Sequence, residues 1–204
     1  GMTLKTIKGL VFVLLGVSIA WSGTSLAKVT ISNFRSTDAF NDLAGSELND
    51  VYLNQSEVVL DSAYQSDIYL YQSRQGLEGN RAKVNLTNTY GSTVGVNQWG
   101  ARNIALVEQS NGIGNIAVLN QFGEGHHGLI SQSGDHNQAY LVQDCMNSMT
   151  VCRSSKVSID QDGVGNIAYV QDNVGVNQHI EQSGAASGII LIHGLSNRGI
   201  RINQ

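Results

Sequence analysis

The sequence predicts an all-β fold: a β-solenoid (β-helix) of stacked strand–turn–strand repeats with amyloid-like cross-β stacking. Three observations carry this. A motif of fixed spacing recurs along more than a hundred residues. Within it, apolar and amide residues alternate with period two, which puts them on one face of a strand. The chain also has no proline, 23 glycines and 14% charged residues, against ~25% in an ordinary globular domain.

The chain divides into three parts. Lys5 and Lys8 precede an almost wholly apolar run from Leu10 to Trp21, and Ser25-Leu26-Ala27 is a small-residue cleavage pattern. Residues 1–27 therefore read as a secretory signal peptide, too short to span a bilayer comfortably; a membrane anchor is the alternative. Removing them costs two lysines and no acids, leaving 10 basic and 16 acidic side chains and a formal charge of −6. With no basic run, nucleic acid is not an expected partner. Residues 28–50 lack the repeat and are expected to be a disordered export or anchoring segment. Residues 51–204 are expected to form the solenoid.

The repeat is clearest from Ser92 to Gln109, where it reads Ser-x5-Gln-x-Gly-x2-Asn-x-Ala-x3-Gln, with Gln98, Gly100, Asn103 and Ala105 between. Its second half recurs at Gln132, Gly134, Asn137, Ala139 and Gln143. A further copy runs Ser155, Gln161, Gly163, Asn166 and Ala168, but its last glutamine, Gln171, comes one residue early. Asn115-Ile116-Ala117 leads to Gln121, and His126 to Gln132 is a decayed copy with histidine for asparagine and Gly128 for alanine.

Each half-repeat reads as one strand and one turn, and two make a flattened coil. Asn103, Ala105, Val107 and Gln109 share a face, as do Ser92, Val94, Val96 and Gln98. Glycines 100, 134 and 163 mark turns, where positive φ is easiest for glycine. Stacking coils ~4.8 Å apart sets each amide above its equivalent, so that side-chain amides can satisfy one another in the interior. Candidates for this amide ladder are Gln98, Asn103, Gln109, Asn115, Gln121, Gln132, Asn137, Gln143, Gln161 and Asn166. From Val51 onward the strands amount to about six coils, a rod roughly 30 Å long.

The motif string resembles the curlin repeat, with one complete copy and several partial ones between Ser92 and Gln182. The resemblance implies a subunit of curli, extracellular adhesive amyloid fibres of biofilm matrix attached to the outer-membrane surface. It implies a major curlin as partner, together with the curli outer-membrane secretion pore and its accessory proteins. Asp42-Leu43-Ala44-Gly45-Ser46-Glu47 and the basic end from Ser196 to Gln204 are similar to a minor, nucleating subunit. The major fibre subunit is the alternative. The cysteine insertion and the chain length depart from both patterns.

Other chemistry finds little in the sequence. Cys145 and Cys152 lie in an insertion from Asp144 to Ser154; a disulfide pinching this loop, two free thiols and a bridge between subunits are the options for an exported chain. His126 and His127 are adjacent and so point to opposite faces of a strand, and no metal site or cofactor is expected. No nucleophile elbow or phosphate loop is visible, and no enzyme activity is expected. Arg198 and Arg201, flanking Ile200, are candidates for surface attachment or for a solvated edge strand. A monomeric solenoid binding carbohydrate or ice is a remoter alternative; ice binding favours outward rows of threonine, but the outward residues vary: Thr93, Ile104, Glu108, Ile116 and Tyr140.

Overall fold

The computed structural model describes residues 10–14, 19–22, 27–31, 54–145, 154–173, 175, 177–185, 189–194 and 201–203. The strands are β1 (Leu10–Leu14), β2 (Ile19–Ser22), β3 (Ala27–Ile31), β4 (Gln55–Tyr64), β5 (Ser66–Arg74), β6 (Arg81–Tyr90), β7 (Thr93–Ala101) and β8 (Ile104–Ile113). They continue as β9 (Ile116–Glu124), β10 (His127–Asp135), β11 (Gln138–Asp144), β12 (Lys156–Val164), β13 (Ile167–Asp172), β14 (Gln178–Ala185), β15 (Ile189–Gly194) and β16 (Arg201–Asn203). Among the described residues there is no helix, and hence none long and apolar enough to cross a membrane.

Successive strands alternate between two eight-stranded sheets. Sheet A runs β1-β4-β6-β8-β10-β12-β14-β16, and sheet B runs β2-β3-β5-β7-β9-β11-β13-β15. The pairs from β4 upward in sheet A and from β3 upward in sheet B are parallel and in register. The fold is thus a β-solenoid: six rungs, from β4/β5 to β14/β15, joined by about five turns. Parallel neighbours need a crossover. Here the crossover is simply the opposite strand, so one coil advances the chain by 23 residues from Gln98 to Gln121 and by 22 from Gln121 to Gln143.

Alternation fills the narrow interior. In sheet A one row is Val58, Val84, Val107, Ile130, Ile159 and Ile180, all 2% exposed or less. In sheet B the matching rows are Ile68–Val94–Ala117–Ala139–Ala168 and Leu70–Val96–Leu119–Leu141–Val170. Branched residues suit such pleated, half-buried strands. Where Gly128 replaces alanine, Leu119 reaches into the space: a Cβ there would lie 2.9 Å from its Cδ1. A separate small cluster, Ile104 and Leu106 with Leu129 against them, lies outside the coil interior on sheet A.

Three expectations need adjustment. Gly100, Gly134 and Gly163, expected at turns, still belong to β7, β10 and β12; at the first of these the corner turns later, where Arg102 before Asn103 has φ +56°. The residue before several other corner serines and amides repeats this: Gln65, Gly91, Gly114, His136 and Gly165 all have positive φ. Gln171 is not a displaced ladder residue: with Ala168 and Val170 inward, period two turns Gln171 outward and puts Asp172 opposite Gln143. Lys28–Ile31, expected to be disordered, belong to β3, which pairs parallel with β5; an open strand edge offers unpaired N–H and C=O groups to any extended segment beside it. The rest of the 28–50 segment lies outside the described residues. Within residues 1–27, β1 pairs antiparallel with β4 and β2 antiparallel with β3.

Candidate functional site: the interior amide ladders

All ten proposed ladder residues are interior, each 2% exposed or less. They form two kinds of ladder, built by different groups. Glutamines near the ends of the strands make the first kind. In sheet B, Gln72 Nε2 donates to Gln98 Oε1 at 2.6 Å, Gln98 to Gln121 at 2.8 Å, and Gln121 to Gln143 at 2.9 Å. In sheet A, Gln109, Gln132, Gln161 and Gln182 repeat the arrangement, each step 2.8 Å.

The second N–H of each glutamine crosses the coil. Gln98 donates to Arg81 O, Gln121 to Ile104 O, Gln132 to Ile116 O, Gln143 to His127 O and Gln161 to Gln138 O. Every acceptor is the first residue of the preceding strand, so one side chain ties rung to rung and also holds the coil flat. A primary amide has two donors and one acceptor oxygen, which fits this double duty where a hydroxyl or a carboxylate does not.

Asparagines at the corners make the second kind. Asn103 N and Nδ2 donate to Asn80 Oδ1, and Asn80 does the same to Asn54. At the opposite corner Asn137 N donates to Asn115 Oδ1, and Asn166 N and Nδ2 donate to Asn137 Oδ1. The Nδ2 groups of Asn103, Asn115 and Asn137 also reach Gly123 O, Gly134 O and Gly163 O. This last contact explains the glycines better than φ does. A Cβ on Gly100 would stand 1.8 Å from Gly123 O, and one on Gly134 2.1 Å from Gly163 O. The corners stack backbone on backbone, and no side chain fits between.

The ladders have ends and breaks. Leu86 sits below Gln109 in sheet A, and the Gln109 Oε1 has no partner there; Gln72 Oε1 is likewise unpaired. At the asparagine corner of sheet A, His126 and Ser155 stand in for amides. His126 N donates to Asn103 Oδ1, and His126 Nδ1 lies 3.2 Å from Ser155 Oγ. Both are buried, so this serine–histidine contact is a structural pair inside the stack. Burial pushes the His126 pKa below the usual histidine value, an effect that Asp172 opposes. Asp172, fully buried at the glutamine position, accepts a hydrogen bond from Gly175 N at 3.0 Å.

Gln72, Gln182, Asn54 and Asn80 therefore join the ladders beyond the ten expected residues. Gln72 lies 26 residues before Gln98 without the Asn-x-Ala signature, and only that spacing could have revealed it. The insertion leaves the register intact: Gln132 pairs with Gln161 across 29 residues. Cys145 is disulfide-bonded; Cys152, the one other cysteine of the sequence, lies outside the described residues. Arg198 also lies outside them, and Arg201 opens β16. Among the described residues, no three of His, Cys, Asp or Glu are grouped to hold a metal ion. A solvent-facing cleft of about 710 Å³ lies beside the insertion, lined in part by Glu78, Arg102, Glu124, His127 and Cys145.

Comparison with known proteins identifies no relative: no family profile, no curated protein and no solved structure matches the chain.

Proposed function

We propose that the chain is a structural subunit of extracellular curli-type amyloid fibres, and that it is the minor subunit that nucleates polymerisation of a major curlin at the cell surface. One observation carries this reading: a parallel, in-register stack whose strands and side-chain amide ladders hydrogen-bond along the stacking axis, ending at β15, which among the described residues pairs through one edge alone. Such an edge is a template for another strand. A head-to-tail contact of this kind does not close and so yields filaments.

Nucleation follows from the same geometry. The first rung of a solenoid orders a whole coil with no neighbour to bond to, so it bears the loop-closure cost without the reward. A preformed edge removes that step for an incoming chain. The minor-subunit reading rests on the ladder breaks at Leu86, His126 and Asp172, which set this stack apart from a regular array. The unbroken run Gln109–Gln132–Gln161–Gln182 favours the major subunit as the second reading. Removal of the leader before Lys28 takes away β1 and β2 and leaves the lower edge of β4 open to pairing.

Thioflavin-T kinetics separate the readings. Residues 28–204, added in trace amounts to a major curlin, are expected to shorten its lag at small mole fractions. Abundant fibres from this chain alone, with the partner's lag unchanged, make it the bulk subunit. A chain that stays monomeric and seeds nothing ends the amyloid reading.

A further inference from the structure

The two outer faces of the solenoid differ in charge. Sheet A presents carboxylates: Glu108, Asp160 and Glu181 lie in one register row, with Asp61, Asp135 and Asp162 on neighbouring rows. The basic residues on these strands, Arg81, Lys83, Lys156 and Arg201, are fewer than the acids, and Lys83 is already bound to Glu57 at 2.8 Å. On sheet B the outward residues of β7, β9, β11 and β13 carry two charges, both at strand ends: Asp144 on β11 and Glu124 on β9, the latter bound to Arg102 at 2.6 Å. The others are neutral amides, small residues and a contiguous apolar group: Ile116, Val118, Tyr140, Val142, Ile167 and Tyr169. Below this group, on β5, Tyr69 and Tyr71 are 45% and 59% exposed, with Asp67 beside them at the start of the strand.

We infer that the outer face of sheet B is a lateral interface that pairs with the same face of a second copy of this chain. Charge selects the occupant. Two copies of an acidic chain meeting through sheet A bring rows of carboxylates together, whereas two sheet B faces meet around an uncharged centre, with their few carboxylates at the strand ends. Area permits it as well. Six rungs at ~4.8 Å and about seven residues at ~3.3 Å make a face of roughly 650 Å² per copy, or roughly 1,300 Å² per pair, inside the ~1,200–2,000 Å² of stable interfaces. Parallel in-register rows give a nearly flat, ridged surface, and face-to-face sheets pack about 10 Å apart with such ridges interdigitated. The contact is independent of end-to-end growth, because it uses side chains and leaves every strand edge untouched.

The test counts copies side by side. It uses mass per unit length by scanning transmission electron microscopy where the chain forms filaments, and mass photometry where it stays soluble. The wild-type chain is expected to show two copies. Val118→Lys/Tyr140→Lys puts two ammonium groups on the face, removes no interior contact and is expected to halve the value. Ser131→Lys, outward on sheet A, is expected to leave it at two. Circular dichroism and the urea midpoint confirm that each variant folds. A wild-type count of one overturns the inference, including the case where the face instead retains the chain on a polysaccharide column through Tyr140. A count of two that survives the double substitution also overturns it, since pairing then uses another surface. Failure of end-to-end assembly alone appears as soluble pairs and leaves the lateral interface standing.

Discussion

Replacing Gln121 with leucine removes the middle of the sheet B ladder at nearly constant volume. Gln121 accepts from Gln98 at 2.8 Å, donates to Gln143 Oε1 at 2.9 Å, and donates across the coil to Ile104 O at 2.8 Å. Leucine leaves the Gln143 oxygen and one Gln98 N–H stranded, both in fully buried side chains. Each of the two stranded buried polar groups costs ~1–3 kcal/mol, and the extra apolar burial returns about 1 kcal/mol, so a net loss of about 1–5 kcal/mol is expected. Gln109→Leu is the internal control. Its Oε1 is already unpaired and Leu86 already lies beneath it, so leucine strands only the Gln132 oxygen. That substitution is expected to cost about 0–2 kcal/mol. Urea unfolding of the soluble chain, followed by far-UV circular dichroism, measures both from the midpoint shift at unchanged slope. Equal losses, or a larger loss for Gln109→Leu, would refute the ladder account.

Three further outcomes follow from the same geometry. Gly134→Ala drives a Cβ against Gly163 O and is expected to cost over ~3 kcal/mol, whereas Gly91→Ala, with φ +64° and open space around it, should cost only ~1 kcal/mol; urea midpoints compare them. The folded-state pKa of His126 lies below its ordinary 6.5, so its contribution is complete above about pH 6.5 and is lost as pH falls below it. His126→Asn, which restores the amide of the row, should flatten the change in urea midpoint between about pH 7.5 and 5.5, and an unchanged slope would contradict this. Reducing the Cys145 disulfide should lower stability by about 2–3 kcal/mol, the value for a short closed loop, and leave the strand signal in the far ultraviolet intact.

Much of the ladder was legible because its chemistry forces spacing. An interior Asn or Gln must stand above its equivalent, so Gln98, Gln121 and Gln143 repeat at nearly constant offset and announce themselves. What was not legible are the substitutions that keep hydrogen-bonding capacity while changing residue type. The spacing places His126 at an asparagine position, but nothing in it shows that Ser155 continues the same row or that Asp172 continues a glutamine row. Corner geometry was hidden for a related reason: Arg102 and His136 adopt the left-handed conformation without being glycine, held by stacked backbone bonds such as His136 N to Ile113 O at 2.8 Å. The outer faces looked irregular because consecutive half-repeats belong to different sheets. Ile104 and Glu108 lie on sheet A, while Thr93, Ile116 and Tyr140 lie on sheet B. Sorted by sheet, the mixture separates into a carboxylate-rich face and one whose centre is uncharged.

If the chain assembles as proposed, rungs continue from one copy into the next through open strand edges. Cryo-electron microscopy of filaments grown from residues 28–204, alone or with a major curlin, tests it most directly. The account predicts strands perpendicular to the filament axis at an unbroken ~4.8 Å repeat, with β15 of one copy facing a strand of the next. Filaments whose rungs lie along the axis, or copies joined through side-chain faces with their edges still open, would contradict it.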